Sequence, residues 1–148
     1  MVDKNNQKPK ILLAEDDKFI SRAYKDGLER AGFDLVLASD GEEAVAKIKS
    51  EKPDLVLLDI IMPLKNGFEV LEEIKKDPAV KDIPVIVLSN LGQDSDITKG
   101  HSLGAVDYLV KANFTMAEVV EKIKKYLWNL LPAVMKFVRP RRPFLIWN

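Results

Sequence analysis

The sequence predicts an α/β domain: a doubly wound, five-stranded parallel sheet with helices on both faces, followed by a short apolar and basic C-terminal tail. Three observations predict it. Short aliphatic or β-branched runs recur along the chain, and stretches of helical period separate them. The runs are apolar almost throughout and do not alternate, as in strands covered on both faces. Parallel neighbours need a crossover connection, and the crossover is usually a helix, so the alternation itself implies a parallel sheet.

The elements follow in order. The strand runs are "KILLA" at 10 to 14, "DLVLA" at 34 to 38, "DLVLLD" at 54 to 59, "PVIVLS" at 84 to 89 and "VDYLV" at 106 to 110. Phe19, Ile20, Ala23, Tyr24 and Leu28 form the apolar stripe of the first helix, and Ala44, Val45 and Ile48 that of the second. Phe68, Leu71 and Ile74 share one face of the third. The fourth, roughly 93 to 103, is polar and weakly patterned, and the fifth groups Val119, Val120, Ile123 and Leu127. Gly32, Gly41, Pro53 and Pro84 punctuate the joints, and "KNGF" around Asn66 and Gly67 reads as a turn opening the third helix.

At 148 residues one domain is expected, spanning 10–127, with a disordered N-terminus at 1–9 and a tail at 128–148. The formal net charge is zero, which argues against a general nucleic-acid binder. The ends differ, however: from Tyr126 onward there are four basic residues (Lys136, Arg139, Arg141, Arg142) and no acid. The chain has no cysteine, which removes disulfides, thiolate nucleophiles and Cys-ligated zinc. "MVDKNNQKPK" lacks the apolar core of a signal peptide, so a cytoplasmic location is expected. No phosphate-binding glycine loop occurs.

In parallel sheets of this kind ligands bind at the carboxyl ends of the strands. Those ends carry Glu15, Asp16 and Asp17 after the first run, Asp59 after the third, Ser89 and Asn90 at the fourth and Lys111 after the fifth. Carboxylates placed close together repel, and a divalent cation between them relieves the repulsion. Magnesium suits oxygen ligands and phosphate best, with manganese a second candidate. A hydroxyl and an ammonium facing the metal complete a cage for a phosphoryl group, and Asp59 becomes the candidate nucleophile. Asp17 reads more simply as a helix cap, and His101 as a solvent-facing residue.

With "LLAEDD", "LVLLDIIMPLKNGFEVL", "VIVLSN" and "GAVDYLVK" in this order and spacing, the chain from Lys10 to Leu127 resembles the response-regulator receiver domains of two-component signalling. The resemblance implies a flavodoxin-like fold and phosphorylation of Asp59 by a sensor histidine kinase or a phosphotransfer protein. It implies that Asp16 and Asp59 ligate magnesium directly, Glu15 through water and Ile61 through its backbone carbonyl. Ser89 would bond a phosphoryl oxygen, Lys111 would pair with the phosphate, and Tyr108 would be the aromatic switch that turns inward. The domain would assist its own phosphorylation and slow dephosphorylation without being an enzyme acting on a small substrate.

Two positions depart from the family's pattern: Ala112 stands where proline usually follows the lysine, and Asn90 where a small residue is usual. A trans bond or a reshaped loop is expected after Lys111, and Asn90 would crowd the pocket or bond the phosphoryl group. Two other readings compete. An aspartate-nucleophile phosphatase would need an acid two residues after Asp59, where Ile61 stands; a phosphorylation-independent interaction module would have lost Asp59, Asp16 or Lys111. The tail, with Trp128, Phe137, Phe144 and Trp147, is expected to dock on this domain or a homodimer mate up to about Val138. Binding a downstream partner ranks second, and lying on a membrane third. It is too short for a helix-turn-helix output domain, so direct DNA binding is not expected.

Overall fold

The computed structural model describes residues 8–130. The strands are β1 (Lys10–Ala14), β2 (Asp34–Ala38), β3 (Leu55–Leu58), β4 (Val85–Ser89) and β5 (Asp107–Val110). The helices are α1 (Lys18–Arg30), α2 (Gly41–Glu51), α3 (Gly67–Lys75), α4 (Asp94–Ser102) and α5 (Met116–Asn129). The strands form one sheet in the order β2-β1-β3-β4-β5, every neighbouring pair parallel. From β1 the chain winds outward to β2 on one side, then crosses back to β3 on the other. That reversal of winding opens a crevice at the carboxyl ends of β1 and β3.

Side chains alternate across the sheet, as strand geometry requires. Ile11, Leu13, Leu55, Leu57, Ile86, Leu88 and Leu109 pack on one face under Leu28 of α1 and Val119, Val120, Ile123 and Leu127 of α5. Leu12, Ala14, Val56, Leu58, Val85 and Val87 pack on the other, under Ala44, Val45 and Ile48 of α2 and Phe68, Val70, Leu71 and Ile74 of α3. With apolar side chains buried on both faces, the strand runs read as continuous in sequence.

Helix starts follow local chemistry. The Asp17 carboxylate caps α1 by accepting from the Phe19 and Ile20 N–H groups, so the simpler reading of this acid holds. Asn66 and Glu69 form a reciprocal capping box at α3, confirming "KNGF" as its opening turn, and Thr115 with Glu118 does the same for α5.

Some bounds differ from the sequence reading. Asp54 and Asp59 flank β3, and each carboxylate accepts from a backbone N–H at that end. Asp54 accepts from the Lys10 N–H at 2.7 Å, and Asp59 from that of Ile60 at 2.7 Å. Helix α5 continues two residues past Leu127, through Asn129. After β5, Lys111–Asn113 forms a 3-10 turn, and the described residues contain no cis peptide bond. No helix among them is long and apolar enough to cross a membrane. The expectations of a disordered N-terminus and a docked tail fall almost wholly on residues outside those described.

Candidate functional site

The strand register brings the polar residues together. Ala14 pairs with Leu58, so the residues that follow, Glu15 and Asp59, emerge side by side at the crevice. Ser89 pairs with Val110, so Lys111 emerges next to the end of β4. One cleft of about 340 Å³ is lined by Glu15, Asp16, Asp59, Ile61, Ser89, Asn90 and Lys111, together with Asp17, Ile20 and Leu91. Every sequence-predicted site residue except Tyr108 lines it, and Tyr108 stands just behind.

Glycine at position 67 lets the chain turn tightly after Asp59. A Cβ there would lie 2.3 Å from the Asp59 carbonyl oxygen, so only glycine lets the first turn of α3 close against the end of β3. The Gly67 N–H donates to the Ile60 carbonyl at 2.8 Å and holds the connection. The Asp59 carboxylate is oriented from below: Oδ1 accepts from the Ile60 N–H, with the Ile61 N–H more distant at 3.4 Å, and Oδ2 accepts from Lys111 Nζ at 2.9 Å.

Lys111 also bonds Glu15, so one ammonium lies between two carboxylates. Glu15 is 3% exposed and Asp59 7%, which places this ionic contact in a poorly solvated region. Burial pushes the Glu15 carboxyl up, with Lys111 and the Asp17 N–H opposing it. Burial also works against the Lys111 ammonium, but its hydrogen bonds to Glu15 and Asp59 outweigh that and raise its pKa. Oxygens of Glu15, Asp16 and Asp59 all lie within 4.8 Å of one another, and Asp16 is exposed to water. Hard oxygen donors in such a cluster suit a divalent cation that keeps part of its hydration.

On the far side, Ser89 is buried, and its Oγ accepts from the Leu91 N–H at 3.3 Å. The Tyr108 ring is turned inward, and its hydroxyl donates to the Leu91 carbonyl at 2.6 Å. Burial, with the charges of Asp96 and Asp59, pushes that phenol up to about 12, so it stays a donor. Leu91 therefore joins Ser89 to Tyr108 through its backbone. No sequence signal marked it, because any residue carries the same N–H and C=O. Asn90 is exposed at the rim, and Ala112 sits in the 3-10 turn that carries Lys111.

Residues 11–124 match the family described as "Response regulator receiver domain". A "Probable transcriptional regulator ycf27" of Porphyridium aerugineum is 40% identical over 121 residues, covering 82% of this chain and 49% of the relative. The receiver domain of the Francisella response regulator 1452 superposes with a TM-score of 0.78 at 31% identity, covering 84% of this chain and all of that one. The Mn(2+)-bound form of response regulator Rcp1 gives 0.70 at 32% identity, covering 84% of this chain and 97% of that one. The chain belongs to the receiver-domain family of two-component response regulators, and is a phosphorelay signalling domain rather than a phosphatase. It spans about half the length of the curated relatives it matches.

Proposed function

We propose that Asp59 is the phosphoacceptor of this domain, taking its phosphoryl group from a histidine phosphorylated on a sensor kinase or a phosphotransfer protein. The observation that carries the reading is the Lys111 ammonium held between Glu15 and Asp59 at the base of a cleft that also contains the buried Ser89 hydroxyl. An Asp59 carboxylate oxygen would form the new O–P bond as the donor's P–N bond breaks, and the electron pair of that bond would return to the imidazole. Lys111 would exchange its bond to Asp59 for one to a phosphoryl oxygen, and Ser89 would turn its hydroxyl from Leu91 toward another. Fixed donors of this kind stabilise charge where it develops.

Glu15, Asp16 and Asp59, with the Ile61 carbonyl, would hold magnesium, or manganese as in the similar Rcp1. When bound, the ion supplies neutralisation of the phosphoryl oxygens. Slow hydrolysis of the acyl phosphate by water entering the same cleft would return the domain to rest. Output would pass to a downstream protein or a second copy through the surface near α4 and β5, to which Leu91 and Tyr108 connect. A cysteine-free sequence supports a cytoplasmic setting.

The test is incubation of wild type and Asp59→Asn with magnesium and acetyl phosphate, read by intact mass. Wild type should gain one phosphate and the variant none. A phosphate on the variant at the wild-type level would overturn the assignment.

A further inference from the structure

Helix α4 is held to the body by very little. Its single buried residue is Gly100, which has no side chain to anchor it. Ile97 is only partly buried, and the Lys99 ammonium stands 4.6 Å above the Phe68 ring of α3. Against Gly100 lies the ring of Tyr108: a Cβ at position 100 would come within 2.8 Å of its Cδ2 and 3.2 Å of its Cε2.

Glycine is a poor choice inside a helix, where alanine is the better former, and Gly100 has no positive φ to require it. Backbone conformation therefore does not account for the residue, and space does. We propose that Gly100 is the positioning residue of the tyrosine switch: its missing side chain is the socket that admits the Tyr108 ring to the inward position. This rests on the reading that Tyr108 responds to phosphorylation of Asp59.

The consequence runs through two hydrogen bonds on either side of Leu91. With the ring in the socket, the Tyr108 hydroxyl reaches the Leu91 carbonyl, and the Leu91 N–H reaches Ser89 Oγ in the cleft. Any side chain at position 100 must displace the ring or α4, and a displacement that parts the Tyr108 hydroxyl from the Leu91 carbonyl breaks the link at Leu91. Gly100 touches neither the carboxylates nor Lys111, so the chemistry at Asp59 should survive while its transmission fails.

The experiment uses the full chain with ring-labelled tyrosine. There are three tyrosines, Tyr24, Tyr108 and Tyr126, so the resonances can be assigned by single substitution. Spectra of wild type and Gly100→Ala are compared with and without magnesium and beryllofluoride, and acetyl phosphate labelling is followed by intact mass. The expected result is that Gly100→Ala takes up phosphate like wild type, its Tyr108 ring signals shift to solvent-exposed values, and its β4–α4 amides lose the beryllofluoride response. Tyr108 signals that coincide with wild type in both conditions overturn the proposal.

Thermal unfolding supplies a second readout. Gly100→Ala should lower Tm in the wild-type background and raise it in a Tyr108→Ala background, where the ring is gone and only helix propensity remains. The same change in both backgrounds overturns the proposal, and if Gly100→Ala alone fails to fold, Gly100→Ala in the Tyr108→Ala background decides by the same sign. If wild type itself takes no phosphate, the functional reading fails, while the ring shift without beryllofluoride still tests the socket.

Discussion

Replacing Lys111 by methionine keeps the unbranched stem up to its last atom and removes the charged Nζ from between Glu15 and Asp59. The oxygens of these acids lie within 4.8 Å of each other. Two unit charges at that separation and an effective dielectric constant of about 20 repel by roughly 3.5 kcal/mol. That figure agrees with the cost of about 3–5 kcal/mol for removing one partner of a buried ion pair. Lys111→Met should therefore lose about 3 kcal/mol in urea unfolding near neutral pH, or roughly 6–12 °C in Tm for a domain of this size. Magnesium should restore more stability to the variant than it adds to wild type, because there the ion alone neutralises the carboxylates that Lys111 otherwise balances. A loss under about 1 kcal/mol, the range of an exposed pair, would refute the view that Lys111 is the counter-charge of the cleft. Equal gains from magnesium in both proteins would refute the view that ion and ammonium balance the same carboxylates.

Asp16→Asn should weaken magnesium binding and raise stability in the absence of metal, since it relieves one of three crowded charges; unchanged affinity in a calorimetric titration would remove Asp16 from the site. At Asp107 burial works against the carboxylate. The Tyr126 hydroxyl at 2.7 Å, the Tyr108 N–H at 2.8 Å and Lys122 at 3.4 Å outweigh it and hold the pKa below the usual value. A lowered folded-state pKa gives stability that is complete above the ordinary aspartate range and lost as pH falls through the lowered value. The stability gap between wild type and Asp107→Asn should then shrink on acidification, and a pH-independent gap would contradict the assignment. Asn66→Ala removes the capping box of α3 and should cost about 1 kcal/mol in denaturant unfolding; no measurable loss would show that Gly67 and the buried face of α3 hold the turn without it.

The strands and helices were legible in the sequence because periodicity is local. Ile11, Leu13, Val56 and Leu58 declare a strand by their own neighbours, and Val119, Ile123 and Leu127 a helix by theirs. Asp59 stood out for a similar reason: an acid closing an apolar run is anomalous within six residues of chain. The resemblance of the strand-end motifs then assembled the cleft without any coordinates.

What the sequence could not determine depends on strand order and register, which join residues far apart in the chain. Lys111 was expected to meet a phosphate; the fold also sets it between Glu15 and Asp59, partners 96 and 52 residues away. That Ser89 and Tyr108 meet at the backbone of Leu91 left no mark in residue type, since main-chain groups are common to all residues. The weak pattern of α4 read simply as polarity, whereas the fold shows its one buried position to be a glycine facing a tyrosine ring. A missing side chain leaves no apolar signal, and only packing shows what fills the space.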